Sequence, residues 1–219
     1  MIDPRMSVLA ICAYLLQLIN LTSLNSGPPM LNDSSDSLDP KEVTLKDGKH
    51  MVIRPIRPDD AEDLQETFQR LSIQSIYLRF LSFKKELTDE EAKQLATVDY
   101  QTRMAFVAIY KEKDKDLVAG VARYARLDPD HPETVEAAVV VVDEYQGLGL
   151  GKQLLKRLVV YARTKGIQCM RGNLQVGNDR MILLVKGSGL PNQTRFVDGI
   201  WEVEIDLRLP KKENEPVRP

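Results

Sequence analysis

The sequence predicts an α/β (α+β) domain, a mixed sheet with helices on both faces, and three observations lead there. A valine-rich run from Val135 to Val142 reads as a buried strand and ends in a glycine-rich turn. The turn opens directly onto a helix whose apolar residues Leu150, Leu154, Leu155, Leu158, Val159 and Ala162 recur at helical spacing. Around this unit strand-like and helix-like stretches are interleaved over one domain's length of chain, with no internal repeat.

Each element has a local reason. Val43 to Arg54 reads as two short strands about the Asp47-Gly48 turn. Pro58-Asp59-Asp60 opens a helix through about Arg70, with acidic residues at its positive end. Ser72 to Phe80 and Thr88 to Val98 are two further helices, the second begun by a capping box of Thr88 and Glu91. Met104 to Tyr110 and Leu117 to Tyr124 are strand-like and flank a charged turn, and Thr134 to Val142 is the next strand. In the helix after the glycine turn, Lys152, Lys156, Arg157, Arg163 and Lys165 are expected to face water, and Gly166 supplies the stop. A strand from Ile167 to Leu174, a helix from Asn178 to about Lys186, and a hairpin through Asp198-Gly199 to Leu207 complete the domain.

Composition narrows the function. The 219 residues are 43% hydrophobic and 28% charged, enough to bury a core. A net charge of -2 gives no global basic field for nucleic acid. Cys12 and Cys169 lie far apart and outside any ligand spacing, which argues against a disulfide framework or zinc and for a reducing, cytoplasmic setting. With only His50 and His131, histidine-rich metal chemistry is poorly supported, so no metal is expected.

The first forty residues differ from the rest. Val8 to Leu21 is apolar but interrupted by Gln17 and Asn20, and it is shorter than the roughly 20 residues that span a bilayer. Asp3 precedes it and no small-residue cleavage site follows. Gly27 to Pro40 reads as a flexible linker rich in Pro, Ser and Asp. The reading favoured is a loosely attached helix, or an upstream extension if translation begins at Met30; membrane association is disfavoured. The domain is expected over residues 41–210, followed by a charged tail, 211–219.

The glycine turn is built to hold an anion, because its amides point at a helix mouth. Two nucleotide loops do not fit. The Walker pattern requires Gly where Gln146 stands and Ser or Thr where Gln153 stands, and the dinucleotide fingerprint requires a third glycine where Lys152 stands. What remains is Gln146-Gly147-Leu148-Gly149-Leu150-Gly151, of the form Q/R-x-x-G-x-G/A.

In that form and place, the segment resembles the acetyl-CoA pyrophosphate loop of the GNAT N-acetyltransferases. The order of elements from Val43 to Leu209, about three-quarters of the chain, matches that family's fold, a central mixed, mostly antiparallel sheet. Family members place an asparagine after the next strand, with a glycine and a bulky apolar residue further on; Asn178, Gly189 and Leu190 fit. More narrowly, IRPIRPDDAEDL (Ile53 to Leu64), SIYLRF (Ser75 to Phe80) and VEAAVVV (Val135 to Val141) resemble the acetyltransferase domain of bacterial Pat-type protein-lysine acetyltransferases. The resemblance implies acetyl-CoA as cosubstrate, held by Gln146, Gly147, Leu148, Gly149, Leu150, Gly151, Lys152 and Asn178. It also implies that backbone of Val139, Val140 and Val141 lies along the pantetheine and meets the thioester oxygen. Each has a plainer alternative: an ordinary turn for the glycines, a solvated first-turn residue for Lys152, a helix cap for Asn178, a core strand for the valines.

The chemistry asks for a base. Roughly one lysine amine in 2,500 is neutral at pH 7, so deprotonation costs on the order of 4–5 kcal/mol. Glu136 shares a strand face with Ala138, Val140 and Val142, an apolar setting that favours the neutral acid and makes a better base. The Pat resemblance puts the family's catalytic glutamate there; the alternative is a carboxylate at the strand's exposed start. Glu144 and Glu133 are weaker candidates, both in turns. Many relatives carry a tyrosine where this chain has Val185, leaving the general acid to water, to Tyr145, or to a thiolate that leaves unprotonated. Cys169 reads as a small core residue.

Three functions compete: acetyl transfer to a protein lysine, acetyl transfer to a small amine or amino acid, and acyl-CoA sensing without catalysis. A deep acceptor pocket formed by residues 72–100 and 190–203 would favour the second, and a Glu136 pointing into the core the third. Arg79, Arg103 and Arg126 are candidates for an acidic acceptor or for the 3′-phosphate of CoA, with solvated surface as the default.

Overall fold

The architecture comes from a computed structural model that describes residues 38–112 and 115–208. Nearly all of the predicted N-terminal segment and the 211–219 tail therefore lie outside the described residues.

The chain opens with a hairpin, β1 (Lys41–Thr44) and β2 (His50–Pro55), turned at Gly48. Pro58–Asp60 is a separate 3-10 turn rather than the first turn of the predicted helix, and α1 (Ala61–Gln69) follows it. The cause is Asp60, buried at 2% exposure, which accepts bonds of 2.8 and 2.6 Å from Arg54 and one of 2.6 Å from the Arg57 amide. Helix α2 (Ile73–Phe80) is capped by the Ser72 hydroxyl, and α3 (Asp89–Ala96) by the Thr88–Glu91 box the sequence predicts.

The long hairpin β3 (Arg103–Glu112) and β4 (Lys115–Ala125) outruns both predicted strands. After β5 (Thr134–Val141) come the glycine turn and α4 (Leu150–Thr164), then β6 (Cys169–Gln175) and α5 (Asp179–Lys186). β7 (Asn192–Val197) and β8 (Ile200–Asp206) close the sheet. Its eight strands run in the order β1-β2-β3-β4-β5-β6-β8-β7, and the β5–β6 pair alone is parallel.

Helices cover both faces, as the period-2 and period-3.6 patterns require. On one face Leu64, Phe68 and Ile76 of α1 and α2, with Ala92 of α3, pack on Val107, Val118 and Val121. On the other, the predicted stripe of α4 packs with Phe106, Ala122 and Met170. The basic residues of α4 divide. Lys152 and Lys156 are exposed, but Arg157 lies over the Phe106 ring, Lys165 over Tyr161, and Arg163 donates to the Leu207 carbonyl at 2.7 Å. Their long stems cover apolar surface that a charge count does not reveal.

Candidate active site

The central feature is a parting of two strands. β5 and β6 pair only through Thr134–Cys169, Val135–Met170 and Glu136–Arg171, although β5 runs on to Val141 and β6 to Gln175. The Val142 amide bonds Ala119 on the β4 side at 2.9 Å. Alternation therefore aims the backbone of Ala137, Val139 and Val141 at the gap, and that of Val140 at β4. Gly172 marks the fork: a Cβ there would meet the Ala137 carbonyl at 3.2 Å.

The gap leads into a cleft of about 930 Å³, bordered by Val139, Val140, Val141, the glycine turn and α5. A smaller cavity of about 80 Å³ fills the fork, between Ala137 and Val139 on one side and Gly172, Asn178 and Val185 on the other. Gly147 (φ 77) and Gly149 (φ 95) take left-handed conformations that side chains disfavour. Lys152 and Gln153 both donate to the Gly149 carbonyl, so the amides of Leu150 and Gly151 remain to face an anion at the helix mouth.

Several expected cofactor residues serve the cleft in ways the sequence does not show. Gln146 braces the turn: its Nε2 donates to the Val141 carbonyl at 2.9 Å and to Ser75 Oγ at 3.2 Å, while Arg180 donates to its Oε1. Leu150 is wholly buried and Leu148 packs against the core, so these two offer only backbone. Asn178 both caps α5, accepting from the Met181 amide at 3.3 Å, and lines the cleft. Lys152 is exposed and lines it too.

Among the lining residues that the sequence does not announce, three are polar and reach the rim from separate elements. Lys46, on the first hairpin turn, donates its amide to the Leu148 carbonyl at 3.1 Å and so binds that hairpin to the glycine turn. Ser75, from α2, and Arg180, from α5, are the other two. Only a long-range contact brings Lys46 here, and no motif announces it.

Glu136 is half-buried at the last paired position before the fork. Among the described residues its carboxylate has no hydrogen bond or ion pair, and burial raises its pKa while Arg171 opposes the rise. Arg171 turns the other way, its Nε 3.1 Å from Glu204. The weaker candidates are surface groups: Glu144 pairs with Arg70 at 3.5 Å and Lys49 at 3.7 Å, and Glu133 lies 3.7 Å from His131. Tyr145 is buried at 2% exposure against Tyr110, and burial raises its phenol, with Tyr110 adding to the rise. Val185 lines the fork cavity at the expected place. Cys169 is half-buried rather than core, at the edge of the Glu136 face. Among the described residues no group of His, Cys, Asp and Glu is placed to hold a metal, and no helix is long and apolar enough to cross a membrane.

A glycine turn at a helix mouth beside a forked parallel strand pair is suited to a phosphate-bearing cosubstrate. The chain belongs to the acetyltransferase (GNAT) family, which it matches over residues 70–189. It is 39% identical over 127 residues to acetyltransferase PA5475 of Pseudomonas aeruginosa, covering 58% of this chain and 67% of that protein. It is 32% identical over 144 residues to acetyltransferase Pat of Mycolicibacterium smegmatis, covering 66% of this chain but only 41% of that longer protein. Among solved structures, the GNAT domain of S. lividans PAT superposes with a TM-score of 0.70 at 25% identity, over 80% of this chain and 99% of that one. YncA of Salmonella typhimurium, solved with acetyl-CoA, superposes with a TM-score of 0.56 at 22% identity, over 75% and 96%. The protein is an N-acetyltransferase of GNAT fold.

Proposed function

We propose that this enzyme transfers the acetyl group of acetyl-CoA to the side-chain amine of a protein lysine, with Glu136 as general base. The observation that carries this reading is the parting of β5 from β6 immediately after Glu136, opening onto the glycine turn. The cleft suits the cosubstrate: its volume lies in the range of small-molecule sites, its floor is unpaired strand edge, and its far end is a helix mouth suited to phosphate.

Bound acetyl-CoA supplies an acyl carbon already activated as a thioester. The chain's own residues do the rest. Backbone of Val139 and Val141 extends the sheet to the pantetheine, and the Val139 amide is aimed to donate to the carbonyl oxygen as it gains charge. The amides of Leu150 and Gly151, with Lys46 and Lys152 at the rim, take the phosphates. Glu136 accepts the proton of the attacking amine, directly or through a water. Its raised pKa suits that task, because a base is most effective when its pKa approaches the working pH. Tyr145 lines the cleft but packs against Tyr110, and Val185 has no proton to give, so as the C–S bond breaks CoA leaves as the thiolate and takes its proton from water.

The resemblance of Ile53 to Leu64, Ser75 to Phe80 and Val135 to Val141 to Pat-type protein-lysine acetyltransferases supports a protein lysine as acceptor, and two cysteines outside any disulfide or ligand spacing support a reducing, cytoplasmic setting. A small amine is the second reading, favoured by 32% identity over 100 residues to an L-methionine sulfoximine/L-methionine sulfone acetyltransferase of P. aeruginosa, covering 45% of this chain and 58% of that one. Residues of 72–100 and 190–203 do meet, Leu78 and Arg79 with Val203, but the fork cavity they line is only about 80 Å³, so no deep acceptor pocket built from those segments is seen among the described residues. The sensor reading needs Glu136 turned into the core, whereas Glu136 is half-buried at the fork. The deciding experiment measures CoA release with a panel of lysine-bearing proteins and, separately, free amines and amino acids. Turnover on proteins supports the first reading, turnover confined to small amines the second, and acetyl-CoA binding without either contradicts both.

A further inference from the structure

On the face of the sheet that carries Glu136, Arg123 has no carboxylate partner among the described residues. Arg123 pairs with Ala138 across β4 and β5, one row along from the Ala125–Glu136 pair, so both side chains lie on the same face. It lines the cavity of about 50 Å³ together with Arg79 and apolar side chains, among them Phe68, Phe80, Leu95 and Val140. No carboxylate lines that cavity.

A guanidinium offers five N–H donors, and those of Arg123 meet one protein acceptor among the described residues, the Leu95 carbonyl at 2.5 Å. Arg54, also half-buried, shows what the fold does elsewhere: Asp60 neutralises it with two parallel bonds. Here the neighbours are like charges. Burial, with Arg79 and Arg103 nearby, pushes Arg123 down to about 9, still well above neutrality, so the charge persists. A half-buried guanidinium with one carbonyl acceptor and no carboxylate beside it has donors left for an anion.

We propose that Arg123, with Arg79 beside it, forms a subsite for a carboxylate carried by the acceptor, so that the preferred substrate is an amine bearing an anionic group. Successive residues on one strand face are separated by roughly 7 Å, so amine and carboxylate of one acceptor can reach Glu136 and Arg123 together. The carboxylate belongs either to a free amino acid or to an acidic side chain beside a lysine, and the two sources share this chemistry. The proposal rests on the reading of the protein as an amine acetyltransferase.

The test has a binding arm and a turnover arm. Sodium propionate is titrated into the full chain while the Ala138 and Val140 methyl resonances are followed in wild type, Arg123→Gln and Arg123→Lys. Saturable shifts at those methyls are expected in wild type, weakened in Arg123→Lys and absent in Arg123→Gln. Melting temperature and acetyl-CoA affinity serve as controls that each variant is folded. Turnover then compares amino acids with their amides, and lysine peptides with a neighbouring Glu or Gln. At least tenfold preference for the acidic member is expected, collapsing in Arg123→Gln; the discriminated pair identifies the source. No saturable shift in wild type, a shift that survives Arg123→Gln, or equal turnover of acid and amide overturns the subsite. Shifts that behave as expected without turnover on any acceptor leave the subsite standing and refute the transferase reading instead.

Discussion

Replacing Glu136 by Gln preserves the side chain's shape and removes its ability to take a proton. At pH 7 a lysine acceptor must lose a proton at a cost of about 4–5 kcal/mol, and a positioned base typically contributes on the order of 10²- to 10⁴-fold. The rate constant kcat for Glu136→Gln is therefore expected to fall by about a hundredfold or more. Acetyl-CoA affinity should stay unchanged, because the glycine turn is braced by Gln146 and not by Glu136. Stability separates this from a structural role. Burial raises the Glu136 pKa, so its contribution to folding is greatest below the ordinary glutamate value and is lost as pH rises through the raised one. At neutral pH the ionised form is a desolvated carboxylate without a bonded partner, and the amide should leave the melting temperature equal or higher. The assay is steady-state CoA release across pH 5 to 9, with thermal melts alongside. Wild type should show an acidic limb above the usual glutamate range, which the variant lacks. Unchanged kcat, or a fall in kcat matched by a fall in melting temperature, would refute the assignment.

Three other perturbations probe the supports of the site. Gly149→Ala forces a side chain onto φ 95, at a cost of about 1–2 kcal/mol, and should weaken acetyl-CoA roughly five- to thirtyfold by calorimetry; unchanged affinity would mean that the turn does not hold the cosubstrate. Glu204→Gln releases Arg171 from its 3.1 Å ion pair toward Glu136, which should lower the Glu136 pKa and move the acidic limb of the rate profile to lower pH. A limb that stays in place or moves upward would show that Arg171 does not tune the base. Asp60→Ala leaves Arg54 without its two bonds and should cost about 3–5 kcal/mol in urea unfolding; a loss under about 1 kcal/mol would place the pair among solvent-screened contacts.

What the sequence discloses is what neighbouring residues decide. The Thr88–Glu91 box, the Gly48 and Gly199 turns and the stripe of α4 are local patterns, and each element stands where its pattern lies. The glycine turn was legible because left-handed backbone and a helix mouth leave a compositional trace. Long-range pairing leaves none. The fork of β5 from β6 depends on where two distant strands stop bonding, and nothing in VEAAVVV marks Glu136 as the last paired residue. Arg123 reads as one more basic residue in a strand until Leu95 and Arg79 are brought beside it. Lys46 reaches the cleft only because its amide meets the Leu148 carbonyl. Gln146 matches the motif, yet its side chain ties the turn to β5 and α2, a role that spacing cannot separate from contact with a phosphate.

The most direct measurement is equilibrium dialysis of radiolabelled acetyl-CoA against the full chain, repeated with Gly149→Ala. Saturable binding to one site per chain, displaced by unlabelled CoA and weakened in the variant, is the expected result. No retained acetyl-CoA at concentrations up to about 1 mM, the upper end of ordinary KM values, would contradict the assignment of the forked cleft as a cosubstrate site.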